Sequence, residues 1–170
     1  MIILLAGLPG TGKTTLGQNL ASRTDGVLLN KDAIRATLFP DEATEYTTEQ
    51  DDFVLKIMLD TAGFLIAKRP DSMTFLDGRP FAKRYQIDQV LKAASAMEQP
   101  VRVLLCVCAE ETVRKRLAQA EGHPAGNRDF ALYSRMKTEF EQITVPHTII
   151  DTDQPEEVCL AHALAAIRRS

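Results

Sequence analysis

The sequence predicts an α/β fold built on a five-stranded parallel sheet with helices on both of its faces. Two observations carry this prediction. Five short apolar runs occur in order, Ile2–Ala6, 27–29, 73–76, Val101–Val107 and 148–150, each followed by a glycine or polar break. They are continuous and do not alternate, which is the pattern of strands covered on both sides, as in a parallel sheet. The stretches between them carry helical periodicity, so strands and helices alternate as in βαβ units with right-handed crossovers. A chain of 170 residues is long enough for one full domain and short for two.

The elements follow in order. A helix over 13–23 opens at a glycine-rich turn and carries Leu16 and Leu20. A second, over 32–38, stops before Pro40, since the residue before a proline resists helical geometry. From Thr48 to Lys68 apolar residues recur at mixed spacings of three and four, Phe53, Ile57 and Phe64 among them, which predicts a long amphipathic helix. Further helices are expected over 80–97, 110–120, 128–141 and 155–168. Pro80 and Pro155 each suit a first helical turn, where the missing N–H is not needed. The segment 121–128, rich in glycine and proline and far from any strand end, reads as a short lid.

Composition narrows the partners. With 45% hydrophobic and 25% charged residues the chain is ordinary for a soluble globular protein. A net charge of -3 gives no general attraction for a long polyanion. No stretch approaches the roughly 20 apolar residues needed to span a bilayer. The first residues lack the basic flank of a secretion signal. Cys106, Cys108 and Cys159 have poor zinc spacing and read as reduced, buried thiols, so a cytoplasmic location is expected. His123, His147 and His162 lack sequence partners for a triad or metal site.

The chemistry starts at Gly7-Leu-Pro-Gly-Thr-Gly-Lys-Thr14, a full match to G-x-x-x-x-G-K-[ST] between a strand and a helix. Gly7, Gly10 and Gly12 let the backbone approach a phosphate, and Thr11 and Thr15 extend the cradle. Lys13 suits the β- and γ-phosphates, and the Thr14 hydroxyl suits Mg²⁺. Asp32 follows the second run, at a strand end where ligands gather in open sheets. It fits either a base for an acceptor hydroxyl or the N-cap of the next helix. Arg35 shares its helix face and either binds an acidic group of an acceptor or pairs with Asp32. Asp77 ends the third run and suits a magnesium-holding carboxylate, and Arg79 sits in the turn after it. Asn30-Lys31-Asp32 lacks the spacer of a guanine motif and stands at the wrong strand. The single acid in Leu76-Asp77-Gly78 and the short chain argue against an AAA-type or helicase motor.

Taken with Leu29-Asn-Lys-Asp-Ala-Ile-Arg35 and Phe75-Leu-Asp-Gly78, the glycine-rich loop resembles the P-loop small-molecule and polynucleotide kinases. That group includes polynucleotide 5′-hydroxyl kinase domains, chloramphenicol phosphotransferase, gluconate kinase, adenylylsulfate kinase and zeta toxins. The resemblance implies one P-loop NTPase domain over 1–170, with sheet order 2-3-1-4-5 and a lid at about 121–128. It implies ATP and Mg²⁺ as cofactors, Asp32 as base, and a segment around Arg79 facing the acceptor. It also implies an Arg-x-x-x-Arg leading into the lid. Arg116 fits the first position and would stack on adenine; the second is Ala120, a departure that leaves Arg128 or Arg114 to stand in, Arg128 being favoured. The turn 151–154 would border the adenine. The implied reaction moves the γ-phosphoryl group of ATP to a hydroxyl of a small molecule. A polynucleotide 5′-hydroxyl is the alternative, opposed by the acidic balance, the absence of Trp and 6% aromatic content. A catalytically weak nucleotide-binding regulatory module is a further alternative, to which Ala120 lends weight.

Overall fold

The structure, a computed structural model, describes residues 1–119 and 129–168. The elements run β1 (Ile2–Ala6), α1 (Lys13–Thr24), β2 (Val27–Asn30), α2 (Lys31–Leu38), a short 3₁₀ turn (Asp41–Ala43), α3 (Thr48–Lys68) and β3 (Thr74–Asp77). They continue with α4 (Arg84–Ala96), β4 (Val101–Val107), α5 (Glu110–Ala118), α6 (Phe130–Glu139), β5 (His147–Asp151) and α7 (Glu156–Arg168). The five strands form one parallel sheet in the order β2-β3-β1-β4-β5. Both the parallel sheet and its order agree with expectation. No described helix is long and apolar enough to cross a membrane.

The central strand shows why the runs are continuous. Every residue of β1 is 0% exposed. Ile2, Leu4 and Ala6 pack with Val54 and Met58 of α3 and Val90 of α4. Ile3 and Leu5 point the other way, against Leu16 and Leu20 of α1 and Leu160 and Ala163 of α7. Successive side chains of a strand face opposite sides, so a strand covered on both sides is apolar throughout. Each such aliphatic side chain contributes about 1.5–3 kcal/mol by leaving water.

Several boundaries differ from the sequence expectations, each for a local reason. The helix expected over 80–97 starts only at Arg84. Pro80 instead lies in a connection whose carbonyl accepts the Gly7 N–H at 3.0 Å. Phe81 follows with φ 53° and is 1% exposed, a left-handed conformation that no right-handed helix contains. The 32–38 helix starts one residue early, because the Asn30 side chain caps it by accepting the Ala33 N–H at 2.9 Å. The alternative reading of Asp32 as N-cap is therefore corrected: Asp32 stands inside the first turn. Pro155 lies just before α7, with its carbonyl accepting the N–H groups of Val158 and Cys159. The expected lid at 121–128, with His123 and Arg128, and the Ala120 departure lie outside the described residues.

The consequence for function is positional. The carboxyl ends of β1, β2 and β3 lie side by side, with Asn30 in register with Asp77. Gly7 follows β1 directly. Ligands of open α/β sheets collect along this edge.

Candidate active site

The loop after β1 is shaped by close approach. Gly7 has φ 135°, and a Cβ added there would lie 2.4 Å from the carbonyl oxygen of Cys106 at the end of β4. Only glycine lets the loop settle on the strand ends. Lys13 Nζ folds back and donates to the carbonyls of Gly7 and Leu8, both at 2.8 Å. The Thr11 hydroxyl donates to Leu8 O at 2.8 Å, so Thr11 braces the loop from inside and is 4% exposed. Gly12 occupies the N-cap of α1 with no side-chain cap, and the first turn of a helix favours an anion. An open cleft of about 570 Å³ lies over this helix end, bordered by Gly10, Gly12, Lys13, Thr14 and Thr15.

The far side of that cleft is formed by Arg116 and the turn after β5. Arg116 Nη1 donates to Thr152 Oγ1 at 2.9 Å, and Nη2 donates to Thr152 O at 2.7 Å. Nη1 also reaches Gly10 O at 3.4 Å, so one side chain ties α5, the glycine-rich loop and the 151–154 turn together. Arg116 thus borders the same cleft as the glycine-rich loop. The use of its donors on Thr152 and Gly10 is a positioning duty that the sequence did not reveal.

A second, smaller cavity of about 130 Å³ opens on the other side of Lys13 and Thr14, which border both spaces. Asp32, Arg35 and Asp77 line it, as do Lys31, Tyr46 and Asp51. Lys31, Asp32 and Arg35 are all buried. Arg35 pairs with Asp32 at 3.3 Å and also bonds to Asp51 on α3. Lys31 Nζ reaches the same Asp51 oxygen at 2.7 Å. Of the two readings left open for Arg35, the i,i+3 pair with Asp32 is present. The Tyr46 ring lies 5.2 Å from the Arg35 guanidinium and forms a wall at this cavity.

Asp77 lines the smaller cavity and holds Thr14, which borders both spaces. It is 0% exposed, and its Oδ2 accepts from the Thr14 hydroxyl at 2.7 Å and from Asn30 Nδ2 at 2.6 Å. Its Oδ1 is buried with no hydrogen-bond partner among the described residues. An orphaned buried carboxylate oxygen beside a hydroxyl is a set of hard oxygen donors that fits magnesium. Among the described residues there is no group of three His, Cys, Asp or Glu side chains suited to a metal, so such an ion would be completed by phosphate and water.

Arg79 stands between Gly78 and Pro80, which line the second cavity, but its own side chain turns to α3 and α4. Its guanidinium is 2.6 Å from Asp52 of α3 and donates to the Tyr85 hydroxyl at 3.2 Å. At 2% exposure it fastens the turn after β3 to α3. Cys106 and Cys159 are buried, and burial pushes the Cys106 thiol up to about 12, so it stays protonated and unreactive near neutrality.

Burial also pushes Lys31 down to about 8, against the opposing pull of Asp32. The folded value is lower than the unfolded 10.5, so between these values the unfolded chain holds more protons and stability rises with pH. Lys31→Met removes this titration. From about pH 7.5 to about pH 10, wild-type stability measured by urea unfolding should gain about 2 kcal/mol relative to that variant. A pH-independent difference would show that Lys31 stays charged.

Asn30, Lys31 and Asp51 are site residues to which sequence reasoning assigned no role. Asn30 and Lys31 stood inside a stretch already under scrutiny. Thr152 lay in the 151–154 turn that the resemblance pointed to, but its bond to Arg116 was not visible. Asp51 carried no signal, because its partners lie 16 and 20 residues away in sequence.

A glycine-rich loop on a helix N-terminus, at the edge of a sheet ordered 2-3-1-4-5, defines a P-loop kinase-like domain. The chain belongs to the AAA_33 family, described as an AAA domain, which matches residues 2–143. No curated protein matches the chain significantly. Among solved structures, APS kinase CysC from Mycobacterium tuberculosis, in complex with AMPPNP and APS, has a TM-score of 0.76 at 12% identity, covering 99% of this chain and 97% of that one. An unliganded sugar kinase from Janibacter sp. HTCC2649 has a TM-score of 0.71 at 22% identity, covering 98% and 93%. A gluconokinase from Sinorhizobium meliloti 1021 has a TM-score of 0.68 at 19% identity, covering 97% and 90%. These likenesses establish the fold.

Proposed function

We propose that the whole chain acts as one cytoplasmic kinase domain, transferring the γ-phosphoryl group of ATP to a hydroxyl of a small-molecule acceptor. The observation that carries this reading is the meeting of two cavities at Lys13 and Thr14. The larger suits a nucleotide whose phosphates lie on the α1 N-terminus. The smaller holds Asp32 beside the point where the γ-phosphate would end. The names of the structural neighbours support the same reading.

In this assignment Gly7, Gly10 and Gly12 shape the loop, and backbone N–H groups hold the phosphates. Thr11 braces that loop, and Thr15 borders the nucleotide. Lys13 exchanges its carbonyl partners for phosphate oxygens. Thr14 and Asp77 would hold magnesium, which neutralises charge on the transferred group when bound. Asp32 accepts the proton of the acceptor hydroxyl and orients its oxygen for in-line attack. Arg35 holds Asp32 in place, Arg79 supports the acceptor side through α3, Arg116 positions the nucleotide's far side, and Arg128 supplies charge over the phosphoryl group.

The test is direct. With γ-labelled ATP and Mg²⁺, label should appear on a member of a panel of alcohols, sugars and nucleosides. Label appearing only on 5′-hydroxyl oligonucleotides, or on nothing while nucleotide still binds, would overturn the small-molecule assignment.

A further inference from the structure

The smaller cavity is electrically closed, and that limits what can enter it. Lys31 and Arg35 are 5% and 2% exposed, and both are shared between the same two carboxylates. Lys31 Nζ stands 2.7 Å from Asp51 Oδ1 and 3.5 Å from Asp32 Oδ1. Arg35 bonds to the same oxygen of Asp51 and stands 3.3 Å from that of Asp32. Asp77 adds a third carboxylate to the lining, and Lys13 belongs to the phosphate loop. Among the described residues Lys31 and Arg35 are each paired with carboxylates, with Arg35 Nε the one guanidinium nitrogen of this pair left without a hydrogen-bond partner. The charges of Lys13, Lys31 and Arg35 are matched by Asp32, Asp51 and Asp77.

An anionic group entering here would face Asp32 and Asp51 in a poorly solvated space. It could recruit Lys31 or Arg35 only by drawing a cation away from buried Asp32 or partly buried Asp51, which is unfavourable. It would also lie close to the nucleotide's own phosphates. Neutral hydroxyls meet the opposite situation. Each ionised carboxylate has about four lone-pair directions, and a hydroxyl donating to one makes a charge-assisted bond. The Tyr46 ring offers an apolar wall for the C–H face of a ring or chain. The volume of about 130 Å³ is well below the roughly 300–1,000 Å³ of pockets for drug-sized ligands, so the fit is to a compact molecule.

We infer that Asp51 is a specificity-determining residue of the acceptor site, selecting an uncharged, compact polyhydroxylated acceptor over acidic analogues of the same skeleton. This rests on the phosphotransfer reading for the identity of the cavity, but its test does not require transfer. Binding is measured by calorimetry on the full chain with Mg²⁺ and a non-hydrolysable ATP analogue. Neutral pentitols, hexitols and aldoses are compared with the aldonic acids and sugar phosphates of matching carbon skeleton. At least one neutral compound should bind about tenfold or more tightly than its acidic counterpart. Equal or tighter binding of the acids, or no binding by any neutral polyol, would overturn the inference. Neutral polyols that bind but receive no label from ATP would support the acceptor class while refuting phosphotransfer.

Asp51→Asn tests the residue itself. It leaves Lys31 and Arg35 under-neutralised, so the neutral-to-acid preference should shrink by about tenfold. An unchanged preference in a folded variant would remove Asp51 from the site. Should that variant fail to fold, the wild-type affinity ratios still decide the acceptor class.

Discussion

Lys13→Ala should lower kcat/KM for phosphotransfer by about 10³-fold or more and weaken nucleotide binding at the same time. The ammonium is the charge carried by the loop itself, at the point where the two cavities join. A single preorganised donor aimed at developing charge is worth about 10²–10³ in rate, and lost binding adds to that. Its bonds to Gly7 O and Leu8 O show that the side chain is held at the loop before any phosphate arrives. Lys13→Arg should share most of the loss, because a planar guanidinium is larger than the compact ammonium that two carbonyls now enclose. Nucleotide titration and initial rates check both variants. Near-normal turnover in Lys13→Ala would undo the assignment of the loop.

Asp32→Asn should behave differently. It preserves shape, removes the proposed proton acceptor, and changes a residue that lines the smaller cavity and not the larger cleft. Transfer measured in a single turnover should fall by about 10²–10⁴-fold, while nucleotide affinity stays within about twofold of wild type. The contrast between the two variants carries the argument: one loses binding and chemistry together, the other chemistry alone. A variant with Asn at position 32 that turns over normally would show that Asp32 serves only to balance Lys31 and Arg35. Loss of nucleotide affinity in the same variant would instead mean that the two cavities are not separate.

The sheet was legible because its signal is local. A strand buried on both faces must be apolar along its whole length, and Ile2–Ala6 shows that directly, while the partly buried Val101–Val107 still reads as a strand although it carries Arg102. Strand order is not a local property, and its expectation rested on the resemblance carried by the glycine-rich loop and two short stretches. The late start of α4 was hidden, because proline at position 80 serves a loop as well as it serves a first helical turn. What decides between them is the Gly7 N–H across the sheet, which finds its acceptor in Pro80 O. The site divides in the same way. The loop residues occupy consecutive positions and could be read together. Asp51 comes from α3 and meets Lys31 and Arg35 only once that helix has packed, and Thr152 meets Arg116 from 36 residues away.

Asn30 shows how folding and function narrow a position together. As the cap of α2 it accepts an N–H with its oxygen, and as a neighbour of Asp77 it donates with its nitrogen. Capping alone would be nearly indifferent among Asn, Asp and Ser. Aspartate, however, would set a second negative charge against the buried carboxylate of Asp77, and serine is too short to span both. Helix stability therefore permits several side chains at position 30, and only a carboxamide meets the two demands at once.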